Sequence, residues 1–289
     1  MAQIATIGFF DGVHKGHQFL FEHLRSLAKK EGLSSLCITF SQHPRTVLQS
    51  DYLPQLLSAT DDRIHILQQE ADEVLVLDFE QIASLTAHEF MVFIHEQYQV
   101  DALLMGYDHH FGCDNLRTPR EYKKIADQIG ITLYTLNEYQ EGEWHVSSTE
   151  IRRELENGNI VMANDLLGRP YTLAGKVVHG NGIGHKIGFP TANIAPAEVH
   201  QVIPANGVYS GEVLLADGTQ HKAIINIGTN PTVGNSERTI EVHIPKLKTD
   251  LYGSLLTIIF SRRIRDEHKF DSLEELQEQI KLDIRTLLS

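Results

Sequence analysis

The stretch IATIGFFDGVHKGH, residues 4–17, joins a strand-like run to a polar turn and the beginning of a helix-like run. Its first four residues, 4–7, are apolar and rich in β-formers, which predicts a buried parallel strand ending at Gly8. From Leu20 onward apolar residues recur at helical spacing, which predicts an amphipathic helix. The histidine-rich segment HKGH therefore lies where the first strand passes into the first helix.

A helix start suits a phosphate because its first backbone N–H groups are free and its dipole is positive there. Gly16 removes a side chain where a phosphate would approach, and His14 and His17 can donate hydrogen bonds to charge developing on phosphorus. The alternative is a plain strand-to-helix turn with two solvated histidines, which the position after the first strand disfavours. A metal site that adds His109 and His110 is also disfavoured, because adjacent histidines rarely face one ion.

Length and composition narrow the class of protein. The 289 residues are enough for two ordinary domains, and the net charge of −13 argues against nonspecific nucleic-acid binding. An acidic chain that binds phosphates is expected to use Mg²⁺. Two cysteines fit a reducing compartment, and neither a signal peptide nor a membrane-spanning run is evident. We therefore expect a cytoplasmic protein with small-molecule partners, no nucleic acid and no membrane, and the oligomeric state stays open.

The first half of the chain alternates strand-like and helix-like runs. Strands are predicted at 4–7, 35–40, 73–78, 101–106 and 131–136. This alternation is typical of a parallel, doubly wound sheet, in which ligands bind beyond the carboxyl ends of the strands. His14, His43 and Asp108 each follow a strand shortly after its end, so we expect them to face one crevice.

A second phosphate-binding candidate is SSTEIR, residues 147–152, which opens another predicted helix. Ser147 and Glu150 match a helix capping box, which is the purely structural interpretation. Hydroxyl groups and an arginine at a helix start also suit a triphosphate. The candidates are Ser147, Ser148, Thr149 and Arg152.

The pattern changes near the linker Gly168-Arg169-Pro170. Strands then predominate, with Asp217-Gly218 predicted as a two-residue hairpin turn, and a helix with an apolar stripe follows over 273–287. Several short strands with glycine-rich connections predict a small closed barrel. The predicted strands are 171–179, 208–216, 219–227, 239–244 and 254–261.

The barrel half contains the motif HGNGIGHKIGFPTANI, residues 179–194. Glycines at Gly180, Gly182, Gly184 and Gly188 leave backbone amides free to wrap phosphates. Thr191 and Asn193 are neutral oxygen donors two residues apart, so on a strand they face the same side, as ligands of one Mg²⁺ would. A flexible surface loop is the alternative, and a Rossmann loop is disfavoured because no helix pattern follows.

The motifs GFFDGVHKGH, SSTEIR, GFPTAN and NIGTNPT (226–232) occur in an order that resembles the prokaryotic bifunctional riboflavin kinase/FMN adenylyltransferases, the FAD synthetases. The N-terminal half of that family belongs to the HxGH nucleotidyltransferase superfamily. The resemblance implies an α/β doubly wound nucleotidyltransferase domain, 1–167, followed by a small antiparallel β-barrel domain with a C-terminal helix, 168–289. The barrel would phosphorylate riboflavin to FMN with Mg²⁺-ATP. The first domain would then transfer AMP from ATP to FMN, giving FAD and pyrophosphate.

The resemblance also implies site residues. For adenylyl transfer, the implied catalytic residues are His14, His17 and Arg152. The residues implied to bind ATP in this step are Gly8, Phe10, Gly16, Ser147, Ser148 and Thr149. Those that contact flavin are Asp108, Phe111 and Arg265. In the kinase, the resemblance implies that Glu241 is the catalytic base and that Thr191 and Asn193 hold Mg²⁺. The residues implied to bind ATP there are Gly180, Gly182, Gly184, Gly188 and Pro190.

Several positions depart from the family pattern. The family usually has Asn at Phe9, an aromatic and a basic residue at His109 and His110, and Arg at His185. One alternative is therefore a riboflavin kinase whose N-terminal half is silent. Another is a flavin-binding carrier or sensor without turnover, in which Glu241 would be an ordinary strand residue; an intact PTAN segment counts against this.

Overall fold

The computed structural model describes residues 2–107, 109–137, 139–141, 144–180, 184, 187–232, 235–247 and 249–288. The chain forms two units, Met1–Pro54 with Thr60–Ser148, and Gln55–Ala59 with Thr149–Ser289. Residues 149–167 group with the second unit although they precede the expected boundary after residue 167. A functional division at that boundary stays a prediction.

The first unit is built on a five-stranded parallel sheet in the order β3-β2-β1-β4-β5. This confirms the predicted doubly wound sheet. The strand order reverses between β1 and β4, and a ligand crevice forms beyond the carboxyl ends of the strands at such a point. The strands are β1 (Gln3–Ile7), β2 (Ser34–Phe40), β3 (Glu73–Leu77), β4 (Val100–Met105) and β5 (Thr132–Thr135), and a separate hairpin pairs β6 (Gln140–Glu141) with β7 (Trp144–His145).

Helices cover both faces of this sheet because their apolar stripes face it. Phe21 and Leu24 pack on one face, and Met91 and Tyr122 pack on the other. A short 3₁₀ turn, Asp11–Val13, precedes the first helix. The α-helices are α1 (Lys15–Glu31), α2 (Pro44–Leu48), α3 (Thr60–Glu70), α4 (Phe79–Ile82), α5 (Ala87–Tyr98) and α6 (Pro119–Ile129).

The second unit contains a closed antiparallel barrel in the order β10-β11-β12-β9-β8-β13. This confirms the predicted barrel and adds β9, which sequence reasoning did not count as a strand. Its strands are β8 (Tyr171–Val178), β9 (Ala192–Pro196), β10 (Gly207–Leu215), β11 (Gln220–Thr232), β12 (Asn235–His243) and β13 (Leu255–Arg265). The helices are α7 (Ser148–Glu156), α8 (Ile160–Leu167) and the predicted C-terminal helix α9 (Leu273–Leu288).

Helix α8 is tied to the barrel through Asn164. Its Nδ2 donates to the Phe260 carbonyl at 2.9 Å, and its Oδ1 accepts from the Tyr171 backbone N–H at 2.7 Å. Because these bonds join the helix to β13 and β8, residues before 168 contribute to the structure of the barrel unit.

The turn between β10 and β11 corrects the predicted two-residue hairpin. Leu215 and Thr219 are joined by a backbone hydrogen bond of 2.9 Å, so three residues, 216–218, form the loop. Gly218 adopts a left-handed conformation with φ 84°, and Asp217 Oδ1 accepts from the Thr219 backbone N–H. The aspartate-glycine pair thus closes a longer turn than its sequence suggested. In the described part of the chain, no helix combines the length and apolarity needed to cross a bilayer.

Candidate functional site

The HxGH histidines lie together at the start of α1. His14 precedes the helix and is buried, and its imidazole stacks on that of His17 with ring centroids 3.7 Å apart and planes 18° apart. The Phe10 ring meets the His17 ring edge-on at 5.2 Å. The two imidazoles are therefore oriented by packing at the helix start, where an anion is favoured.

Glycines make this packing possible. Phe10 is buried in a left-handed conformation, with φ 56° and ψ 41°, and a Cβ on Gly8 would lie 2.7 Å from its ring. A Cβ on Gly16 would lie 3.2 Å from the His14 ring and 3.4 Å from the Val146 carbonyl oxygen. Gly8 therefore leaves room for the Phe10 ring, and Gly16 permits a close approach of α1 to the segment before SSTEIR.

Contacts within the first unit join the two phosphate motifs. Ser148 Oγ donates to the Asp11 carbonyl at 3.1 Å, across 137 positions of sequence. The structure thus brings the beginning of SSTEIR to the turn that precedes HxGH. Thr149 and Arg152 belong to the second unit, where Arg152 Nε donates to the Gln55 carbonyl at 2.5 Å. Their contribution to adenylyl transfer stays a prediction.

Sequence reasoning missed Arg63 of α3, which is fully buried beneath the same turn. Its Nη1 donates to the Phe9 carbonyl at 2.6 Å and to Thr39 Oγ1 at 2.7 Å, and its Nη2 donates to the Phe40 carbonyl at 2.8 Å. Burial lowers the pKa of Arg63 to about 10, although the Asp11 carboxylate acts in the opposite direction. The arginine therefore remains charged near neutral pH and joins the segment that follows β1 to the last two residues of β2.

Arg63 also explains the departure at Phe9. The guanidinium lies 4.0 Å from the centre of the Phe9 ring, and the His43 ring meets the same phenyl group at 4.8 Å. Phe9 thus packs between a cation and an imidazole. An isolated arginine in an amphipathic helix pattern looks like a surface residue, so no local signal could have identified this contact.

The segment that follows β4 is held against α6 by hydrogen bonds between Phe111 and Tyr122. Tyr122 Oη donates to the Phe111 carbonyl at 2.8 Å and accepts from its N–H at 2.9 Å, and both residues border a cavity of about 410 Å³. Burial lowers the pKa of His109 to about 4, so its imidazole is neutral near pH 7. Asp108 lies outside the described residues.

Among the residues that are described, no three His, Cys, Asp or Glu side chains come together to hold a metal ion.

In the barrel unit, two cavities meet at Thr191. One of about 300 Å³ is bordered by Glu241 and Arg265, and one of about 690 Å³ is bordered by Asn193; Thr191 borders both. Thr191 Oγ1 donates to Glu241 Oε2 at 3.0 Å. Glu241 is paired across the sheet with Asn193 of β9. The predicted base and the two predicted Mg²⁺ ligands are therefore neighbours.

The glycines of the barrel motif also have a packing role. A Cβ on Gly180 would lie 1.9 Å from Asn193 Nδ2, and one on Gly184 would lie 2.4 Å from the Phe189 carbonyl oxygen. Gly188 has φ 82°, which favours glycine. At Gly180 and Gly184 the absent side chain leaves room for the motif's own residues, whereas the sequence analysis attributed these glycines to phosphate binding alone. Outside the described residues lie Gly182 and His185.

Comparison with known proteins agrees with this geometry. The family model described as FAD synthetase matches residues 1–150, and the one described as riboflavin kinase matches residues 167–289. Bifunctional riboflavin kinase/FMN adenylyltransferases from Escherichia coli (strain K12) and Bacillus subtilis (strain 168) are each 34% identical to the chain, over 97% of it and 90% of their own length. The chain belongs to this bifunctional family. The resemblance noted in the sequence is thereby confirmed.

A solved structure is also similar to this chain over its whole length. The crystal structure described as a macrolide-efflux protein from Streptococcus pneumoniae has a TM-score of 0.89 and 32% identity, covering 100% of this chain and 94% of that one. It shares the fold of this member of the riboflavin kinase/FMN adenylyltransferase family.

Two further features of this family member were not foreseen. Arg265 Nη2 donates to Asp283 Oδ2 at 2.9 Å, so this predicted flavin-binding residue ties the smaller cavity to α9, and its contact with flavin stays a prediction. At the larger cavity the rings of His179 and Tyr252 stack with centroids 3.8 Å apart. Such a stacked pair offers a flat surface to a purine base.

Proposed function

We propose that the chain makes FAD from riboflavin in two ATP-dependent steps, one in each half. In the barrel, the riboflavin 5′-hydroxyl oxygen attacks the γ-phosphorus of ATP, which gives FMN and ADP. In the N-terminal half, a phosphate oxygen of FMN attacks the α-phosphorus of another ATP, which gives FAD and pyrophosphate. The observation that carries the proposal is the Thr191–Glu241 contact between two cavities, one for each kinase substrate.

In the kinase step, Glu241 accepts the proton of the attacking hydroxyl. Its side chain borders the smaller cavity, which we assign to riboflavin, while the larger cavity receives ATP. The Thr191 hydroxyl and the Asn193 amide oxygen are hard oxygen ligands beside a carboxylate, and this donor set fits Mg²⁺. Bound Mg²⁺ would offset phosphate charge as the phosphoryl group moves.

In the adenylyl step, the chain positions two phosphates and stabilises charge without a covalent intermediate. His14 and His17 donate to the oxygens around the α-phosphorus from the start of α1. Ser147 and Ser148 bind the triphosphate. Support comes from the stacked imidazoles and from the Ser148–Asp11 contact, which joins the motifs within the first unit.

The alternative of a silent N-terminal half rests partly on Phe9. Because Phe9 is packed on Arg63 and His43 with the HxGH rings held together nearby, the substitution is compatible with an ordered site. We therefore favour two working halves.

The test is incubation of the full chain with riboflavin, ATP and Mg²⁺, followed by chromatographic separation of the flavins. Formation of FAD with release of pyrophosphate supports the proposal. Accumulation of FMN alone would identify a kinase with a silent first half, and riboflavin recovered unchanged would identify a carrier. Supplying FMN in place of riboflavin tests the adenylyl step separately.

We also place the protein in the cytoplasm, with small-molecule substrates and no nucleic-acid or membrane partner. Both cysteines, Cys37 and Cys113, are free thiols, which suits a reducing compartment that also supplies ATP.

A further inference from the structure

Glu241 and His243 are alternate residues of β12, and both border the smaller cavity of the barrel. The His243 side chain is buried, and its Nδ1 lies 2.9 Å from the Pro190 carbonyl oxygen. The Phe189 ring meets the imidazole edge-on, with centroids 5.7 Å apart. The imidazole therefore contacts the segment that carries Thr191.

The Pro190 contact shows which ring nitrogen of His243 carries a hydrogen. A carbonyl oxygen can only accept a hydrogen bond, so Nδ1 of His243 must carry the hydrogen. This bond has the same geometry whether the imidazole is neutral, with its hydrogen on Nδ1, or charged. His243 is thus a fixed donor toward the loop.

The need for such a donor follows from the pairing of the strands. The ladder between β9 and β12 comprises Asn193 with Glu241 and Ala192 with Val242, and it goes no further toward Thr191. Pro190 has no backbone N–H to continue it. Beyond Ala192, two side chains of β12 bind the loop in place of the backbone ladder. Glu241 accepts a hydrogen bond from the Thr191 hydroxyl, and His243 donates one to the Pro190 carbonyl.

We propose that His243 is a positioning residue for riboflavin phosphorylation, whose Nδ1–H holds the Pro190 carbonyl and so sets the Thr191 hydroxyl between the ATP and riboflavin cavities. The inference rests on the proposed function of the barrel. His243 acts through the loop because its Nδ1–H is used by the Pro190 carbonyl, while the groups assigned to the reacting hydroxyl and to Mg²⁺-ATP are Glu241, Thr191 and Asn193. Misplacement of a reacting group by about 1 Å typically reduces a rate about 100-fold.

The test compares His243→Asn with His243→Leu in the full chain. The amide nitrogen of asparagine occupies nearly the place of the imidazole Nδ1 and can donate to Pro190, whereas leucine cannot donate. We expect His243→Leu to lower kcat/KM for ATP in FMN formation by about 10- to 100-fold, and His243→Asn to stay within about threefold of the unmodified chain. His221→Leu, on β11 of the same barrel, is the matched control, because His221 lies near a strand end with its Nε2 3.2 Å from Thr219 Oγ1, and it is not among the described residues that border either cavity.

Two readouts separate positioning from general loss of structure. Adenylylation of supplied FMN should be unchanged in all variants. Amide hydrogen exchange in the peptide that contains Thr191 and Ala192 should be faster in His243→Leu than in His243→Asn. If leucine prevents folding, His243→Gln replaces it, since its amide lies one bond farther out and should not restore the Pro190 contact.

Equal kinase activity in the leucine and asparagine variants, whether both normal or both low, would overturn the proposal. If the proposed function of the barrel is wrong, the results differ from those expected when only the positioning role of His243 is wrong. If the unmodified chain forms no FMN, the kinase assignment is wrong; if Glu241→Gln retains activity, the base assignment is wrong. In both cases the hydrogen-exchange comparison still reports whether His243 holds the loop, and no difference between the two variants there would refute the positioning role.

Discussion

Replacing Arg63 by methionine should damage adenylyl transfer and leave riboflavin phosphorylation intact. Methionine preserves most of the side-chain length and removes the guanidinium. The change removes the arginine donor from the Phe9 carbonyl, Thr39 Oγ1 and the Phe40 carbonyl. The Phe9 carbonyl keeps a longer bond of 3.3 Å from the Thr39 hydroxyl. Since Phe9 leads directly into the turn before His14, its release should disturb the stacked imidazoles.

The expected loss of stability is the difference between two large terms. Thr39 Oγ1 and the Phe40 carbonyl lose the arginine donor, and each buried acceptor left unsatisfied costs about 1–3 kcal/mol, so the two together cost roughly 2–6 kcal/mol. The lowering of the Arg63 pKa to about 10 indicates that burial of its charge costs roughly 3 kcal/mol, which the variant recovers. At the middle of that range the loss exceeds the recovered energy, so the free energy of unfolding of the first unit should fall by about 1 kcal/mol.

The assay measures both reactions in one preparation. Pyrophosphate release from ATP and supplied FMN reports adenylyl transfer, and FMN formation from riboflavin reports the kinase. We expect the first rate to fall about 100-fold and the second to change less than twofold. Arg25→Met is the matched control, because Arg25 pairs with Glu70 in an exposed salt bridge worth about 0.5 kcal/mol.

Adenylyl transfer within threefold of the Arg25→Met control, together with equal unfolding free energies, would refute this reasoning. If Arg63→Met does not fold, Thr39→Val removes one acceptor and retains the cation. Its expected loss is about 1–2 kcal/mol, with a smaller decrease of adenylyl transfer. An unaffected Thr39→Val variant would likewise contradict the proposed support of the turn.

Glu241→Gln keeps the shape of the side chain but removes its basicity, so FMN formation should fall by about 10²–10⁴ while adenylylation of supplied FMN is unchanged. Loss of both activities would show that the two sites are not separate. His17→Ala removes a donor to transition-state charge, so FAD formation should fall by about 10²–10³ with FMN accumulating; near-normal FAD would contradict its assignment. A fragment beginning at Thr149 should melt at a higher temperature than one beginning at Gly168, because only the longer one keeps the Asn164 bonds to β8 and β13. Equal melting temperatures would show that α8 does not stabilise the barrel.

Local patterns in the sequence were sufficient for the architecture. The alternation of apolar strands and amphipathic helices predicted the parallel sheet, and the short strands after residue 170 predicted the barrel. Helix caps are likewise built from neighbouring residues: Thr86 with Glu89 and Thr118 with Glu121 form capping boxes, and Gly130 ends α6 in a left-handed conformation. Such signals act over three or four residues, so they do not depend on how distant parts of the chain pack.

The sequence also placed the HxGH motif correctly where the first strand passes into the first helix, because a motif carries its own turn chemistry. It put Thr191 and Asn193 on one strand, whereas β9 begins at Ala192, directly after Thr191. It did not reveal the residues that support these segments. Arg63 reaches Thr39 across 24 positions, and His243 reaches Pro190 across 53. Nor did it show that residues 55–59 join the barrel unit, where Leu56 N–H donates to the His200 carbonyl at 2.8 Å.

These contacts depend on where whole elements pack, and periodicity along a helix or strand does not specify its neighbour. An arginine on a helix is normally exposed, and only the position of α3 beneath the ends of β1 and β2 turns Arg63 into a buried donor. A histidine two residues after a glutamate is equally ordinary until β12 comes to lie beside the GFPTAN loop. The sequence by itself determined the elements and the motifs, and the tertiary structure alone decided which distant side chains hold those motifs in place.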